Sequence, residues 1–91
     1  MRESFEANMI ALLKRKVSEQ KNICVSMETP NVNLCLTFRP EWITDYEDDK
    51  TLQIESDMGY LTISYANCNI SFDDVTDEYI IKGKGSVFTI A

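Results

Sequence analysis

The sequence predicts an α+β domain, an N-terminal amphipathic helix packed on one face of an antiparallel β-meander of about six strands. Three observations carry that prediction. Apolar residues recur at helical spacing over the first twenty positions; from Ile23 the period drops to two; and three successive pairs of alternating segments close into hairpins in phase.

The helix comes first, in a unit spanning residues 1–20. Phe5, Met9, Leu12, Leu13 and Lys16/Val17 follow at three- and four-residue intervals, with no Gly or Pro before Pro30. That spacing gives one amphipathic helix over roughly Glu3 to Glu19. Its acids, Glu3 and Glu6, lie early and its cations, Lys14, Arg15 and Lys16, lie late, which complements the helix dipole. A solvated, dipole-matched last turn is the reading favoured for that basic cluster.

The antiparallel sheet is expected over residues 23–91. Ile23, Val25 and Met27 alternate with Cys24, Ser26 and Glu28, and Val32, Leu34, Leu36 and Phe38 alternate with Asn33, Cys35 and Thr37. A two-residue loop at Pro30-Asn31 pairs Met27 with Leu34, Val25 with Leu36 and Ile23 with Phe38. The same register sets Cys24 and Cys35 diagonally on the opposite face. Residues 39–50 read as a long acidic loop anchored by Trp42, Ile43 and Tyr46. A turn at Met58-Gly59, with Gly59 supplying a positive φ, pairs Leu52 with Tyr65 and Ile54 with Ile63. Ile70-Ser71-Phe72 makes a short strand, and residues 73–77 make a turn. The last hairpin pairs Tyr79 with Ile90 and Ile81 with Phe88 around Lys84-Gly85.

Ninety-one residues suit one domain, and an apolar share of 44% is too high for a disordered acidic tail. No apolar run approaches the roughly eighteen residues that cross a bilayer, and the charged N-terminal stretch does not read as a secretory signal. A cytoplasmic protein is expected. The three cysteines, Cys24, Cys35 and Cys68, agree: their count is odd and their spacing fits neither a disulfide framework nor a zinc site. They read as small, partly buried residues.

Charge is the one feature that points to a task. Between Pro40 and Ile80 stand eleven carboxylates and a single cation, Lys50, while both flanks are weakly basic; the net charge of −6 hides this polarity. Like charges crowded into part of a small domain cost stability, and solubility does not require so uneven a distribution.

Catalysis is not expected. Histidine, the commonest general acid–base, is missing, and no cysteine has a histidine to ionise it. Gly83-Lys84-Gly85 lacks the spacing and context of a phosphate loop. Asp45, Glu47 and Asp49 alternate like the opening of an EF-hand loop, but Lys50 stands where Gly belongs and Ser56 where Glu belongs. No metal or cofactor is therefore expected. Ile80-Ile81-Lys82-Gly83, followed by Val87 to Ile90, resembles the C-terminal motif of Sm-like RNA-binding proteins. The spacing is off by one residue, that family's other motif has no counterpart, and an acidic centre opposes phosphate. Direct nucleic-acid binding is not adopted, and no membrane partner is expected.

What remains is the acidic surface, in which Glu41 to Asp49 interleave carboxylates with Trp42 and Tyr46 in the composition of an interface hot spot. The candidate partner-binding residues are Glu41, Trp42, Asp45, Tyr46, Glu47, Asp48, Asp49, Glu55, Asp57, Asp73, Asp74, Asp77 and Glu78. The expected function is a non-enzymatic acidic module that binds a protein with a basic surface or groove, in the manner of a nucleic-acid mimic. In compactness and acidity the chain resembles phage-encoded inhibitors of host defence, CRISPR effectors among their targets, which implies a phage or mobile-element origin. Two alternatives share the surface or the sheet. One is an immunity protein that neutralises a toxin. The other is a small assembly subunit or homodimer that pairs through a sheet edge, with Ser86 to Ala91 as the expected edge.

Overall fold

The computed structural model describes residues 2–91, with side chains from Phe5 onward; the Glu3 side chain invoked for the helix dipole lies outside the described residues. Helix α1 (Arg2–Glu19) leads into eight strands: β1 (Ile23–Glu28), β2 (Asn33–Phe38), β3 (Trp42–Tyr46), β4 (Thr51–Ser56), β5 (Gly59–Ser64), β6 (Asn69–Asp73), β7 (Glu78–Lys82) and β8 (Val87–Ile90). The fold is α+β with an N-terminal helix and antiparallel strands throughout. The strands divide into a five-stranded sheet, ordered β2-β1-β8-β7-β6, and a three-stranded sheet, ordered β3-β4-β5. Helix α1 packs against β3 of one sheet and β6 of the other, an edge strand in each case.

One core results. The helix contributes Met9, Ile10, Leu13 and Val17; the larger sheet contributes Ile23, Val25, Ile70, Tyr79, Ile81 and Ile90; the smaller contributes Leu52, Ile54, Ile63 and Tyr65. Phe5 and Leu12, expected on the buried stripe, are exposed. Residues 9, 13 and 17 define a narrow stripe, and at 3.6 residues per turn Phe5 and Leu12 fall on its flank. A helix wedged between two sheet edges has no apolar floor wide enough to cover them.

The first and last hairpins take the registers that alternation dictates. Ile23, Val25 and Met27 oppose Phe38, Leu36 and Leu34, and the Thr29 N–H donates to Val32 O at 2.8 Å across Pro30-Asn31. Tyr79 and Ile81 oppose Ile90 and Phe88, closed by Gly83 N–H to Ser86 O at 2.9 Å. The apolar face of β2 is nonetheless exposed, Leu34 and Leu36 included. β2 is the margin of the wider sheet, and the three-stranded sheet does not extend to cover it.

The expected sheet edge at Ser86–Ala91 is corrected. β8 pairs with β7 on one side and β1 on the other, and Cys24 and Ala91 exchange two backbone hydrogen bonds at 3.0 and 2.9 Å. An apolar strand whose ladder is satisfied on both sides belongs inside a sheet, and the true edges are β2, β6, β3 and β5.

The middle hairpin is shifted by two residues from the expected register. Leu52 opposes Ile63, and Ile54 opposes Leu61, because the turn is Asp57-Met58 rather than Met58-Gly59. Ser56 closes that turn by accepting the Met58 N–H at 3.2 Å through its hydroxyl. The unusual backbone falls on the residue after the turn, Gly59, at φ 138°. Open space surrounds the position where its Cβ would stand, so any penalty for a side chain there is conformational. Gly59→Ala is expected to lower the unfolding free energy by about 1–3 kcal/mol in urea denaturation. An unchanged midpoint would show that the turn relaxes without cost.

The expected acidic loop at 39–50 is likewise corrected. Residues 42–46 form strand β3, and Glu47–Asp49 form a single 3-10 turn ended by Lys50 in the left-handed region at φ 52°. The segment was legible as strand: Trp42, Thr44 and Tyr46 alternate with Ile43 and Asp45, and three of the five residues are aromatic or β-branched on one face.

Candidate functional site

The three-stranded sheet has two different faces. Its inner face presents Ile43, Leu52, Ile54, Leu61, Ile63 and Tyr65 toward the core. Its outer face is read from the register in three cross-strand rows: Trp42–Glu55–Tyr60, Thr44–Gln53–Thr62 and Tyr46–Thr51–Ser64. Alternation along each strand puts all nine side chains on that one surface.

The first row is the notable one. Trp42 is 66% exposed and Tyr60 is 73% exposed, and Glu55 stands between them on the central strand. Adjacent strands lie about 4.8 Å apart, so the two aromatic residues flank the carboxylate across roughly 10 Å. Gln53 donates its side-chain N–H to Glu55 Oε1 at 2.8 Å, holding the carboxylate in place along the strand. Tyr46 adds a third exposed aromatic at the far end of β3. Large side chains left this open are not anchoring the chain to its core. An aromatic, carboxylate, aromatic row suits a cation: the ring faces attract it through their quadrupoles and the carboxylate through its charge.

Around this row the expected acids divide. Glu41 precedes β3, and its N–H donates to Glu55 O at 2.8 Å. Glu47, Asp48 and Asp49 project exposed from the 3-10 turn at the Tyr46 end, and Asp57 is exposed in the β4–β5 turn at the Tyr60 end. Asp45 does not join them. It lies half-buried on the inner face and accepts the Tyr65 hydroxyl at 2.7 Å. Among the described residues, no three His, Cys, Asp or Glu side chains gather as a metal-binding group.

The remaining four acids belong to the β6–β7 turn of the other sheet. Asp73 accepts the backbone N–H groups of Val75 and Thr76 at 3.0 and 3.4 Å, and so shapes its own turn. Asp74 is exposed and Glu78 is half-buried. Asp77, at φ 58°, pairs with Lys16 Nζ at 3.2 Å. The solvated last turn expected for Lys14, Arg15 and Lys16 is therefore corrected for Lys16, whose side chain is only 11% exposed and shares a cleft with Leu12, Phe72, Asp77 and Tyr79. Lys14 borders both Glu41 and Trp42 on one side and Asp45 and Glu47 on the other. A helix cation thus stands beside each acidic group, Lys14 beside the acids of the β3 segment and Lys16 on Asp77. The group on the three-stranded sheet carries the aromatic residues.

Tyr60 was absent from the expected set. With a turn at Met58-Gly59, Glu55 would face Thr62; moving the turn by one residue brings Tyr60 opposite Glu55. The available signal was the Ser56–Asp57 pair, since a serine hydroxyl next to an acid is a turn-forming combination.

Tyr65 ties the inner side of this sheet to pH. Burial pushes its phenol well above the ordinary value of 10.0, and the hydrogen bond to Asp45 pushes it further. Burial, with a smaller contribution from Asp77, raises Tyr79 as well. An acid with a raised folded pKa stabilises the fold fully below its unfolded pKa, and that stability is lost as pH rises beyond it, because the unfolded chain ionises first. Stability is expected to fall progressively above pH 10. Tyr65→Phe should cost about 1 kcal/mol at neutral pH, the worth of one hydrogen bond, and make the alkaline decline shallower. Urea titrations at stepped pH read both effects; an equal decline in the variant would contradict them.

Comparison of the chain with protein-family models, with curated proteins and with solved structures returned no match in any of the three.

Proposed function

We propose that this protein is a non-enzymatic acidic binding module whose outer β3–β4–β5 face docks on a basic protein surface. The observation that carries the reading is the exposed Trp42–Glu55–Tyr60 row, framed by Glu41, Asp57 and the Glu47–Asp49 turn. Aromatics supply buried area at low entropic cost, and the surrounding carboxylates steer a Lys/Arg-lined surface into place. In its finer form the partner surface is a groove that otherwise holds nucleic acid, and this chain is an inhibitor of the phage anti-defence kind. A toxin-neutralising immunity protein would use the same face.

The test is capture of partners from host cells on the immobilised protein at low and moderate salt, with the bound protein identified by mass spectrometry. The expected partner carries a basic surface and is released as salt screens the contact, since the Debye length falls to about 8 Å at 0.15 M. Retention unchanged at high salt, or capture unaffected by charge reversal at Glu47, Asp48, Asp49 and Glu55, would overturn the reading.

A second reading has its own observation. β2 is an edge strand with Val32, Leu34 and Leu36 exposed, beside a groove formed by Leu36, Phe38, Ile54, Met58, Tyr60 and Leu61. A second copy of this chain, paired antiparallel along β2, would cover that edge. Light scattering on the purified chain decides it: a monomer at all concentrations would remove this alternative.

A further inference from the structure

Cys24 and Cys35 occupy the surface face of the β1–β2 hairpin. Cys24 opposes Thr37, and Cys35 opposes Ser26, so the two thiols are diagonal neighbours on one face, two rungs apart. Their sulfurs lie 3.1 Å apart, and the Ser26 hydroxyl donates to Cys35 Sγ at 3.6 Å. Cys35 is exposed at the sheet margin, and Cys24 is half-buried behind it. The packing of the core does not use either sulfur.

We propose that Cys24 and Cys35 are a redox-active dithiol, oxidised to an intramolecular disulfide by exchange with a low-molecular-weight disulfide. The geometry assigns the two roles. Cys35 is open to the incoming reagent, while Cys24 is placed to resolve the product. Cys35 reacts as the thiolate, whose Sγ attacks one sulfur of the reagent; an Sγ–S bond forms, the reagent's S–S bond breaks, and one thiolate leaves. The Cys24 thiol then gives up its proton to a departing thiolate, and its sulfur attacks Cys35 Sγ. The Cys24–Cys35 bond forms and the second reagent sulfur leaves as a thiolate, which takes up from solvent the proton that Cys35 released on ionising. Two protein thiols are oxidised by two electrons and the reagent is reduced to two thiols, so the step balances without any other reactant.

The surroundings favour this order. Hydrogen bonds from the Cys24 thiol and the Ser26 hydroxyl lower the Cys35 pKa, raising its thiolate fraction. Burial raises the pKa of Cys68, which stands apart in the β5–β6 connection. The disulfide would tie edge strand β2 covalently to β1, and an excess of thiol would reopen it.

The experiment uses the whole chain with oxidised glutathione, followed by alkylation and mass spectrometry. The expected product has lost two hydrogens, carries no glutathione, and has only Cys68 open to iodoacetamide. Both bonded cysteines should lie within one tryptic peptide, Asn22 to Lys50, since the Arg39–Pro40 bond resists cleavage. Cys24→Ser should halt the reaction as a glutathione adduct on Cys35, formed at least about tenfold faster than on Cys68. A stable adduct on Cys35 in the unaltered chain, or equal rates at all three cysteines, would overturn the proposal. Cys24 is half-buried and outside the core cluster, and circular dichroism checks that the Cys24→Ser variant folds.

Discussion

Leu13→Ala is expected to lower the unfolding free energy by about 2–5 kcal/mol, the range for deleting a fully buried leucine and leaving part of its cavity. Leu13 is 0% exposed and belongs to the core built jointly by α1 and both sheets. No single neighbouring element can close the space, because the helix rests on the edge strands of two separate sheets. A loss of that size is a large share of the roughly 5–15 kcal/mol that holds a domain together. Leu12→Ala is the matched comparison. Leu12 stands one residue away on the exposed flank, and its replacement should change stability by no more than about 0.5 kcal/mol. Denaturant titration of the pair tests where the helix sits; equal losses would mean that the buried stripe is misplaced.

Trp42→Ala and Tyr60→Ala are each expected to weaken binding to the proposed basic partner by about tenfold or more, chiefly through faster dissociation, as truncating an aromatic hot spot does. Neither change should move the unfolding midpoint much, since both side chains are mostly exposed. Glu55→Gln should act in the same direction by removing the charge between them. The Glu47–Asp49 turn should behave differently. Charge reversal there should slow association and flatten the salt dependence, because peripheral charges steer encounter more than they hold the complex. Surface plasmon resonance with the captured partner separates these effects. Variants of Trp42 and Tyr60 that bind normally would remove the aromatic row from the interface, while leaving the electrostatic part of the reading open to its own salt test.

Alternation alone disclosed the hairpins at Pro30-Asn31 and Lys84-Gly85. In each, two segments of fixed period meet at a short turn, and only one register matches apolar with apolar. The middle hairpin defeated the same logic because registers two residues apart preserve facing. Leu52 meets an apolar partner whether it opposes Tyr65 or Ile63, so the pattern is satisfied twice. The Ser56 hydroxyl and the Gly59 conformation decide between them, and those are local hydrogen-bonding facts that a hydrophobic pattern does not contain. The local partners of the acids are hidden from the sequence for a related reason. Asp45 and Asp77 are as charged as Asp48 and Asp74, yet one faces Tyr65 and the other Lys16 across long stretches of chain.

Composition and period by themselves determined the helix, the antiparallel character of the strands and the concentration of negative charge in the middle of the chain. These follow from near-neighbour spacing, which every sequence displays openly. Only the tertiary structure decided that the strands split into two sheets bridged by α1, that β8 lies inside one of them, and that Trp42, Glu55 and Tyr60 stand side by side. Those outcomes depend on which distant segments share a ladder. That choice is made by whole-core packing, where several pairings have similar local energies and the combination that buries the most apolar surface wins.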